Sequence, residues 1–330
     1  MEVFKVINFI VIGGGWRTEF YLRIAQALPE IFNISAICVR NSEKANYIRK
    51  HFNVKVVSTF DEALKTPFDF IVNCINKDNI TDFSVELADR GYFVLAETPV
   101  TKLQSGAHNY DRIQVAEQFH LKGTYQAIKK IIDSGVIGKV NYINLSVCHD
   151  YHAMSLMRFF LDDYEKPKLL GEYNIDDNII RTNGREGEFE DKSTENTTQR
   201  IKMFKFKDAT VVYDYNIEQY FSPIRADRIL IRGTKGEIEN NKVRYLNLQN
   251  EYVCSEMKFV TSGLLDGFYN DKITFEDKIL FKFPYGKARL TEEETAIAEC
   301  LEKMMEYIKS SKELYSYNNA YEDYSYFTRI

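Results

Sequence analysis

The sequence predicts an α/β fold in two parts: a parallel sheet covered by helices on both faces, then an α/β region on an open, mostly antiparallel sheet. Three observations carry this. Val6-Ile7-Asn8-Phe9-Ile10-Val11-Ile12 reads as a buried strand that ends in Gly13-Gly14-Gly15 and passes at once into a helix-like segment, Trp16 to Leu28. The first third alternates short apolar strand runs with helical patterns, which calls for strands buried on both faces. From residue 138 onward strand signals dominate. Several alternate, as in Val211-Val212-Tyr213-Asp214-Tyr215, the mark of a sheet with one covered face.

In order, strands are expected at 4–12, 34–39, 54–57, 69–75 and 92–96, with helices at 16–28, 42–52, 59–65 and 79–90. Ser42 is placed to cap the second helix and Gly91 to stop the fourth in a left-handed turn. The pattern changes near Arg112. A helix follows with Tyr125, Ile128, Ile131 and Ile132 on one face, ended by Gly135. Strands are then expected at 138–148, 200–206, 209–219, 226–232, 236–248, 251–260 and 273–283. Residues 162–198, polar and acidic, read as a long loop. A last strong helix starts at Thr291, where Thr291 and Glu294 have capping-box spacing. Ile297, Cys300, Leu301, Met304, Met305 and Ile308 make its apolar face. The tyrosine-rich tail, 315–327, reads as surface packing.

Bulk properties narrow the function. At 330 residues two domains are the default. With 45% hydrophobic and 28% charged residues the composition is globular, and a net charge of −5 argues against a nucleic-acid partner. No apolar run reaches the roughly 20 residues that span a bilayer, so no membrane association is expected. A signal-peptide pattern is missing at the N-terminus. Five cysteines without metal-type spacing suit a reduced, cytoplasmic protein, and no metal is indicated among the five histidines.

A strand, a glycine turn and a helix in immediate succession make an anion-binding device. Unpaired N–H groups and the positive end of the helix dipole meet there, and the glycines let the backbone approach a pyrophosphate. Gly13 and Gly15 match the first two glycines of a Gly-x-Gly-x-x-Gly fingerprint, and Thr18 stands at the third. The second strand ends Cys38-Val39-Arg40-Asn41-Ser42. An NAD site places an acid near position 39 to accept from the ribose hydroxyls, which Val39 does not do. Arg40, with Ser42 close by, is suited to a 2′-phosphate. NADP(H) is therefore favoured, with NAD(H) as the alternative. Arg17, at the helix start, is within reach of a phosphate or of solvent.

With these residues in view, the chain resembles the glucose–fructose oxidoreductase / inositol dehydrogenase (Gfo/Idh/MocA) family. The first of four matching segments is Val11-Ile12-Gly13-Gly14-Gly15 with Val39 to Ala45. The second runs from Asp69-Phe70-Ile71-Val72 through Gly91 to Glu97-Thr98-Pro99, and the third joins Val115-Ala116-Glu117 to Ile131 through Val140. The fourth is His152-Ala153-Met154-Ser155-Leu156-Met157-Arg158-Phe159, with weaker likeness from Ile231 to Ile238. The resemblance implies an N-terminal NAD(P)-binding Rossmann domain over 1–113. It implies a C-terminal α/β domain over 114–330 that binds substrate and makes the oligomer through the free face of its sheet. Members of the family typically act on sugars, cyclitols or related alcohols and ketones, so a carbohydrate-like small molecule and a homo-oligomer are the expected partners.

The departures bear on chemistry. The family's Glu-Lys-Pro is Glu97-Thr98-Pro99, so an ammonium that steadies a developing oxyanion is replaced by a neutral hydroxyl. The family's His-x-x-Asp is His152-Ala153-Met154-Ser155, so a carboxylate is lost. The stretch from Pro99 to Val115 is short for a strand–helix–strand crossover. Hydride transfer to a ketone needs a proton, and His152 is the best carrier. Tyr151 is a further donor candidate, and Asp150 a substitute carboxylate. His152, Tyr151 and Thr98 are thus the catalytic candidates. Gly13, Gly15, Trp16, Arg17, Arg40, Ser42, Asn76 and Glu97 are the cofactor candidates. His120, His149 and Ser155 are candidates for substrate contact, and Lys122 stands with His120 where the family often has basic residues. Two rival readings remain: a nucleotide-binding paralogue without turnover, acting as a sensor or partner, and a reductase of an imine-type substrate.

Overall fold

The computed structural model describes residues 6–265 and 267–328; Phe4 and Lys5 of the expected first strand lie outside them. By its contacts the chain divides into two compact units. One holds the residues up to Lys122 with Ser262–Asn270 and the stretch from Phe283 onward, and the other holds Gly123–Thr261 and Asp271–Lys282. The chain therefore returns to its first unit after building the second, which a single boundary at 113/114 does not describe.

The first unit alternates β1 (Ile7–Ile12), α1 (Trp16–Ala27), β2 (Phe32–Cys38), α2 (Ser42–His51), β3 (Val56–Val57), α3 (Phe60–Ala63), β4 (Phe70–Asn73), α4 (Lys77–Asp89), β5 (Val94–Ala96) and β6 (Ile113–Val115). These make a six-stranded sheet of order β3-β2-β1-β4-β5-β6, parallel throughout. Phe9, Ile10, Val11, Phe70, Ile71, Val72, Val94 and Leu95 are all fully buried, which explains the unbroken apolar runs. The strand order reverses between β1 and β4, and ligands bind at such a switch point beyond the carboxyl ends of the strands. The glycine turn stands there. Two local expectations change. The N-cap of α2 is Asn41, whose Oδ1 accepts the Lys44 N–H at 2.9 Å, and Ser42 is the first helical residue. Gly91 does take the left-handed conformation after α4, with φ +92°.

No α-helix connects β5 to β6 among the described residues; a 3-10 turn at Tyr110–Arg112 leads into β6. Chain from the far end lies there instead. The Gln114 Oε1 accepts the N–H groups of Leu314 and Tyr315 at 2.8 and 3.1 Å, and the Val115 N–H donates to the Tyr315 carbonyl at 2.9 Å. These bonds cover the open edge of the sheet. Tyr110 and Tyr317 stack with ring centroids 4.5 Å apart. The tyrosine-rich tail is therefore not surface packing. Tyr315 and Tyr317 are buried, because their rings and backbone fill the place left by the short crossover.

The second unit contains α5 (Gly123–Asp133), β7 (Val140–Ser146), α6 (Asp150–Leu161), β8 (Lys168–Ile180), β9 (Asn183–Gly184), β10 (Gly187–Glu188), β11 (Thr194–Lys205), β12 (Thr210–Asn216), β13 (Arg228–Gly233), β14 (Gly236–Glu239), β15 (Lys242–Leu246), and the strands β16 (Tyr252–Leu264), β17 (Gly267–Phe275) and β18 (Lys278–Lys282), whose connecting end groups with the first unit. Ten strands form one sheet of order β18-β17-β16-β15-β14-β13-β7-β12-β11-β8, and β9–β10 is a separate hairpin. The β12–β7 pair is parallel and its neighbours pair antiparallel. Phe204, Val211, Ile143, Ile231, Ile238 and Val243 lie opposite one another across six strands, all at 0% exposure, and define the covered face.

Residues 162–198 are not a long loop: β8 fills 168–180 and β11 begins at 194. The sequence hid β8 because it is an edge strand, exposed along most of its length, whose backbone ladder with β11 and not apolar patterning holds it. The chain ends in α7 (Glu292–Ser310) and α8 (Tyr317–Thr328), both in the first unit. The expected Thr291–Glu294 capping box is present on α7. Among the described residues no helix is long and apolar enough to cross a membrane.

Candidate functional site

In the first unit the glycine turn is fixed by close approach on two sides. Gly13 has φ +130°, and a Cβ there would stand 2.6 Å from the Cys74 carbonyl oxygen. At Gly14 it would stand 2.7 Å from Val39 Cγ1 and 3.6 Å from Lys44 Cδ. Gly15, the N-cap of α1, differs: a Cβ would meet nothing within 4 Å. The turn is pinched between the ends of β2 and β4 but open above the start of α1, where the positive end of the helix dipole favours an anion. These residues fit a pyrophosphate. Thr18, at the third glycine position, is buried with its Oγ1 3.2 Å from Cys74 Sγ. A small cysteine at the end of β4 thus admits the larger side chain.

Val39 is buried and apolar at the carboxyl end of β2, and Arg40 beside it is exposed with no ion pair among the described residues. Ser42 is exposed nearby. Trp16 is exposed at the start of α1. Asn76 is exposed as the N-cap of α4 and accepts from Asn79 Nδ2 at 2.8 Å. Sequence reasoning missed Lys44, whose stem lies across Gly14. Its position one turn into α2 was the only signal for it.

Arg17 and Glu97 are bound into a buried network. The Tyr21 hydroxyl donates to Glu97 Oε1 at 2.5 Å, and Arg17 Nε is 3.4 Å from Glu97 Oε2. Arg17 also meets Glu293 at 3.3 Å, and Glu293 takes Lys122 Nζ at 2.5 Å and Gln118 Nε2 at 2.7 Å. The guanidinium of Arg17 is thus held by two carboxylates. Burial raises the Glu97 carboxyl above its ordinary range against the pull of Arg17 and Tyr21. Glu293 goes the other way: burial opposes its charge, but Lys122 and Arg17 outweigh it and hold it at about 2. A carboxylate depressed on folding stabilises above its unfolded pKa, near 4.5, and loses that contribution as pH falls through about 2. The depression corresponds to about 3 kcal/mol. Glu293→Gln is expected to lower stability at pH 7 and to flatten this part of the acid limb, as measured by urea unfolding between pH 7 and pH 3. An acid limb identical to wild type would show that Glu293 is not held ionised.

Lys122 is therefore an ion-pair partner, and Thr98 follows Glu97 at the end of β5. His120 is no basic surface group. Burial pushes it down to about 4, helped by Lys303, and its ring lies 5.9 Å from Tyr315.

In the second unit the turn from β7 into α6 gathers the remaining candidates. Asp150 opens α6 with φ +46°, a conformation an aspartate tolerates and a β-branched residue does not. A clamp holds it. The Asp150 N–H donates to Tyr213 Oη at 3.1 Å, the Tyr213 hydroxyl is 3.1 Å from Asp150 Oδ1, and Arg200 donates to that oxygen at 2.7 Å. Arg200, Tyr213 and Tyr215 share the covered sheet face: Arg200 pairs with Tyr215, and Tyr213 is two residues before it. Beside them, the rings of His149 and His152 are 5.0 Å apart and perpendicular. Tyr151 lies 4.3 Å from His152 and Tyr220 lies 6.0 Å from His149. Burial, then the nearby His152, lowers His149 to about 4, so it is neutral near pH 7. His152 is buried on the first turn of α6. Ser155 is buried, and its hydroxyl donates to the His152 carbonyl at 2.9 Å, a bond inside its own helix. Arg200, Tyr213 and Tyr215 were not singled out from the sequence, where they look like ordinary alternating strand residues.

Comparison with known proteins bears on the fold and on the first domain. Residues 7–116 match the sequence model of an oxidoreductase family with an NAD-binding Rossmann fold (GFO_IDH_MocA). No curated protein matches the chain significantly. Among solved structures the chain is similar to levoglucosan dehydrogenase in complex with NADH and levoglucosan, at TM-score 0.64 and 16% identity over 96% of this chain and 94% of that chain. It is similar to an oxidoreductase from Agrobacterium radiobacter in complex with NAD+, L-tartaric acid and magnesium (TM-score 0.62, 14% identity, 97% and 94% covered). A myo-inositol dehydrogenase from Corynebacterium glutamicum is a third (TM-score 0.58, 12% identity, 97% and 94% covered). At such identities the likeness establishes a common fold.

Proposed function

We propose that this chain, whose N-terminal domain belongs to the Gfo/Idh/MocA oxidoreductase family, is an NADP(H)-preferring oxidoreductase of a sugar, cyclitol or related carbonyl compound. The glycine turn carries the reading: Gly13 and Gly14 are spaces no side chain fills, and Gly15 opens over the start of α1. The sugar and cyclitol substrates of the similar levoglucosan and myo-inositol dehydrogenases support the substrate class.

The nicotinamide supplies or accepts a hydride when bound. Gly13 and Gly15 let the backbone and the first amides of α1 hold the pyrophosphate. Arg40 would pair with the 2′-phosphate, having no ion pair to a carboxylate among the described residues. His152 carries the proton that the substrate oxygen takes up or gives back, and Tyr151 shapes its surroundings. Neutral His149 lies close enough that a proton on it would oppose one on His152. The protein is read as acting in the cytoplasm, as a homo-oligomer through exposed apolar residues of β8 such as Leu169, Leu170, Tyr173 and Ile175.

Arg40→Ala is expected to weaken NADPH about 10- to 100-fold, a charge-assisted pair, while NADH changes less than about 3-fold. Fluorescence titration of both nucleotides measures it. Equal affinity of the wild type for NADH and NADPH overturns the cofactor preference, and failure to bind either overturns the oxidoreductase reading.

One observation favours a second reading, a nucleotide-binding protein without turnover. The Ser155 hydroxyl is spent within its own helix, so nothing at that position replaces the family's carboxylate. Tight NADPH binding with no turnover of any sugar or cyclitol supports this reading over the first.

A further inference from the structure

We propose that Tyr215 Oη and His149 Nδ1 form a hydroxyl-binding subsite in the second unit that takes an uncharged polyhydroxylated ring, in an orientation set by Asp150. The inference rests on the substrate class of the proposed function and assigns it a place. Both atoms are buried side-chain polar atoms with no hydrogen-bond partner, and Tyr215 is only 1% exposed. Buried polar groups are almost always paired, since leaving one unsatisfied costs its full desolvation. These two orphans fall in one cluster. The Tyr215 ring lies 6.1 Å from that of Tyr213, whose hydroxyl is 3.1 Å from Asp150 Oδ1, and Asp150 directly follows His149, whose ring is 6.0 Å from Tyr220. Tyr213, two residues from Tyr215 on the same face, has its hydroxyl fully used in the clamp on Asp150. The sheet is thus able to satisfy a tyrosine hydroxyl here, and leaves one unsatisfied beside a clamped residue of positive φ.

The chemistry of the surroundings selects the ligand. Asp150 and Asp227 both act on the Tyr215 hydroxyl with negative charge, which disfavours a carboxylate or phosphate. Arg200, the cation across the sheet from Tyr215, is paired with Asp150. A neutral imidazole and a phenol each accept or donate one hydrogen bond, which suits alcohol hydroxyls. The rings of Tyr151 and Tyr220, 5.4 and 6.0 Å from that of His149, give apolar surface for the C–H face of a ring.

The test compares the same chemical change at two positions. In Tyr215→Phe the orphan hydroxyl is removed, so without ligand the Tm is expected to rise by about 2–4 °C. Affinity for myo-inositol or D-glucose, read by ligand-observed NMR at saturating NADPH, is expected to fall at least about 10-fold. Tyr213→Phe, which breaks satisfied bonds, is expected to lower the Tm. The proposal is overturned by a Tm that falls in Tyr215→Phe, by unchanged polyol affinity in that variant, or by a wild type that binds NADPH but neither polyol. That last result leaves the nucleotide reading intact, whereas a wild type that binds polyol without NADPH counts against the oxidoreductase reading and not against the subsite.

Discussion

Replacing Gly13 with alanine is expected to lower stability by about 2–6 kcal/mol and to weaken NADPH binding at least 100-fold. Two causes add. The residue sits at φ +130°, where an L side chain is strained by roughly 1–3 kcal/mol. Its Cβ would stand 2.6 Å from the Cys74 oxygen and 2.8 Å from the Cys74 carbonyl carbon, both backbone atoms that cannot swing aside, and overpacking of this kind costs about 1–3 kcal/mol. Gly15→Ala is the control. Its Cβ meets nothing within 4 Å of protein, so stability should hold within about 0.5 kcal/mol while nucleotide affinity falls. Urea unfolding and NADPH titration on both variants measure the two effects. Nucleotide affinity untouched in Gly15→Ala would mean that the turn packs a helix and holds no pyrophosphate.

His152→Asn is expected to cut kcat by about 10²–10⁴, the usual size of a proton-transfer contribution, with NADPH affinity within about 2-fold of wild type. Asparagine keeps a polar group of similar reach at this buried position. Turnover on a panel of sugars and cyclitols, with NADPH titration alongside, separates the cases. Wild-type kcat in the variant would remove His152 as proton carrier. A matching loss of nucleotide binding would make its role structural.

Much of the first unit was legible in the sequence because the central strands are buried on both faces, so their middle residues are apolar. Fully buried Phe9 to Val11 and Phe70 to Val72 are the plainest cases. The capping box on α7 was equally visible, because Thr291 and Glu294 satisfy each other within one turn. β8 was not visible. Its hydrogen bonds come from β11, a strand that starts fourteen residues further along the chain (194 against 180), and its side chains mostly face outward. The tail was misread for a related reason. A run of tyrosines does not declare whether it is buried until the short β5–β6 crossover leaves it a place against Gln114 and Tyr110.

For the candidate site the division runs the same way. The glycine turn, Val39, Arg40 and His152 could be found from the sequence because turn chemistry and the end of a strand depend on near neighbours. The sequence could not show that Arg17 is tied to Glu97 and Glu293, since that ion pair joins α1 to a helix 276 residues away. Nor could it show that Asp150 is clamped by Arg200 and Tyr213, or that Tyr215 keeps an unpaired hydroxyl beside it. By itself the sequence determined where the backbone turns and which segments are apolar, because those follow from local sterics and hydrophobic period. Only the tertiary structure decided which charges are neutralised and which polar groups are left unsatisfied, because burial and pairing belong to groups brought together from distant parts of the chain.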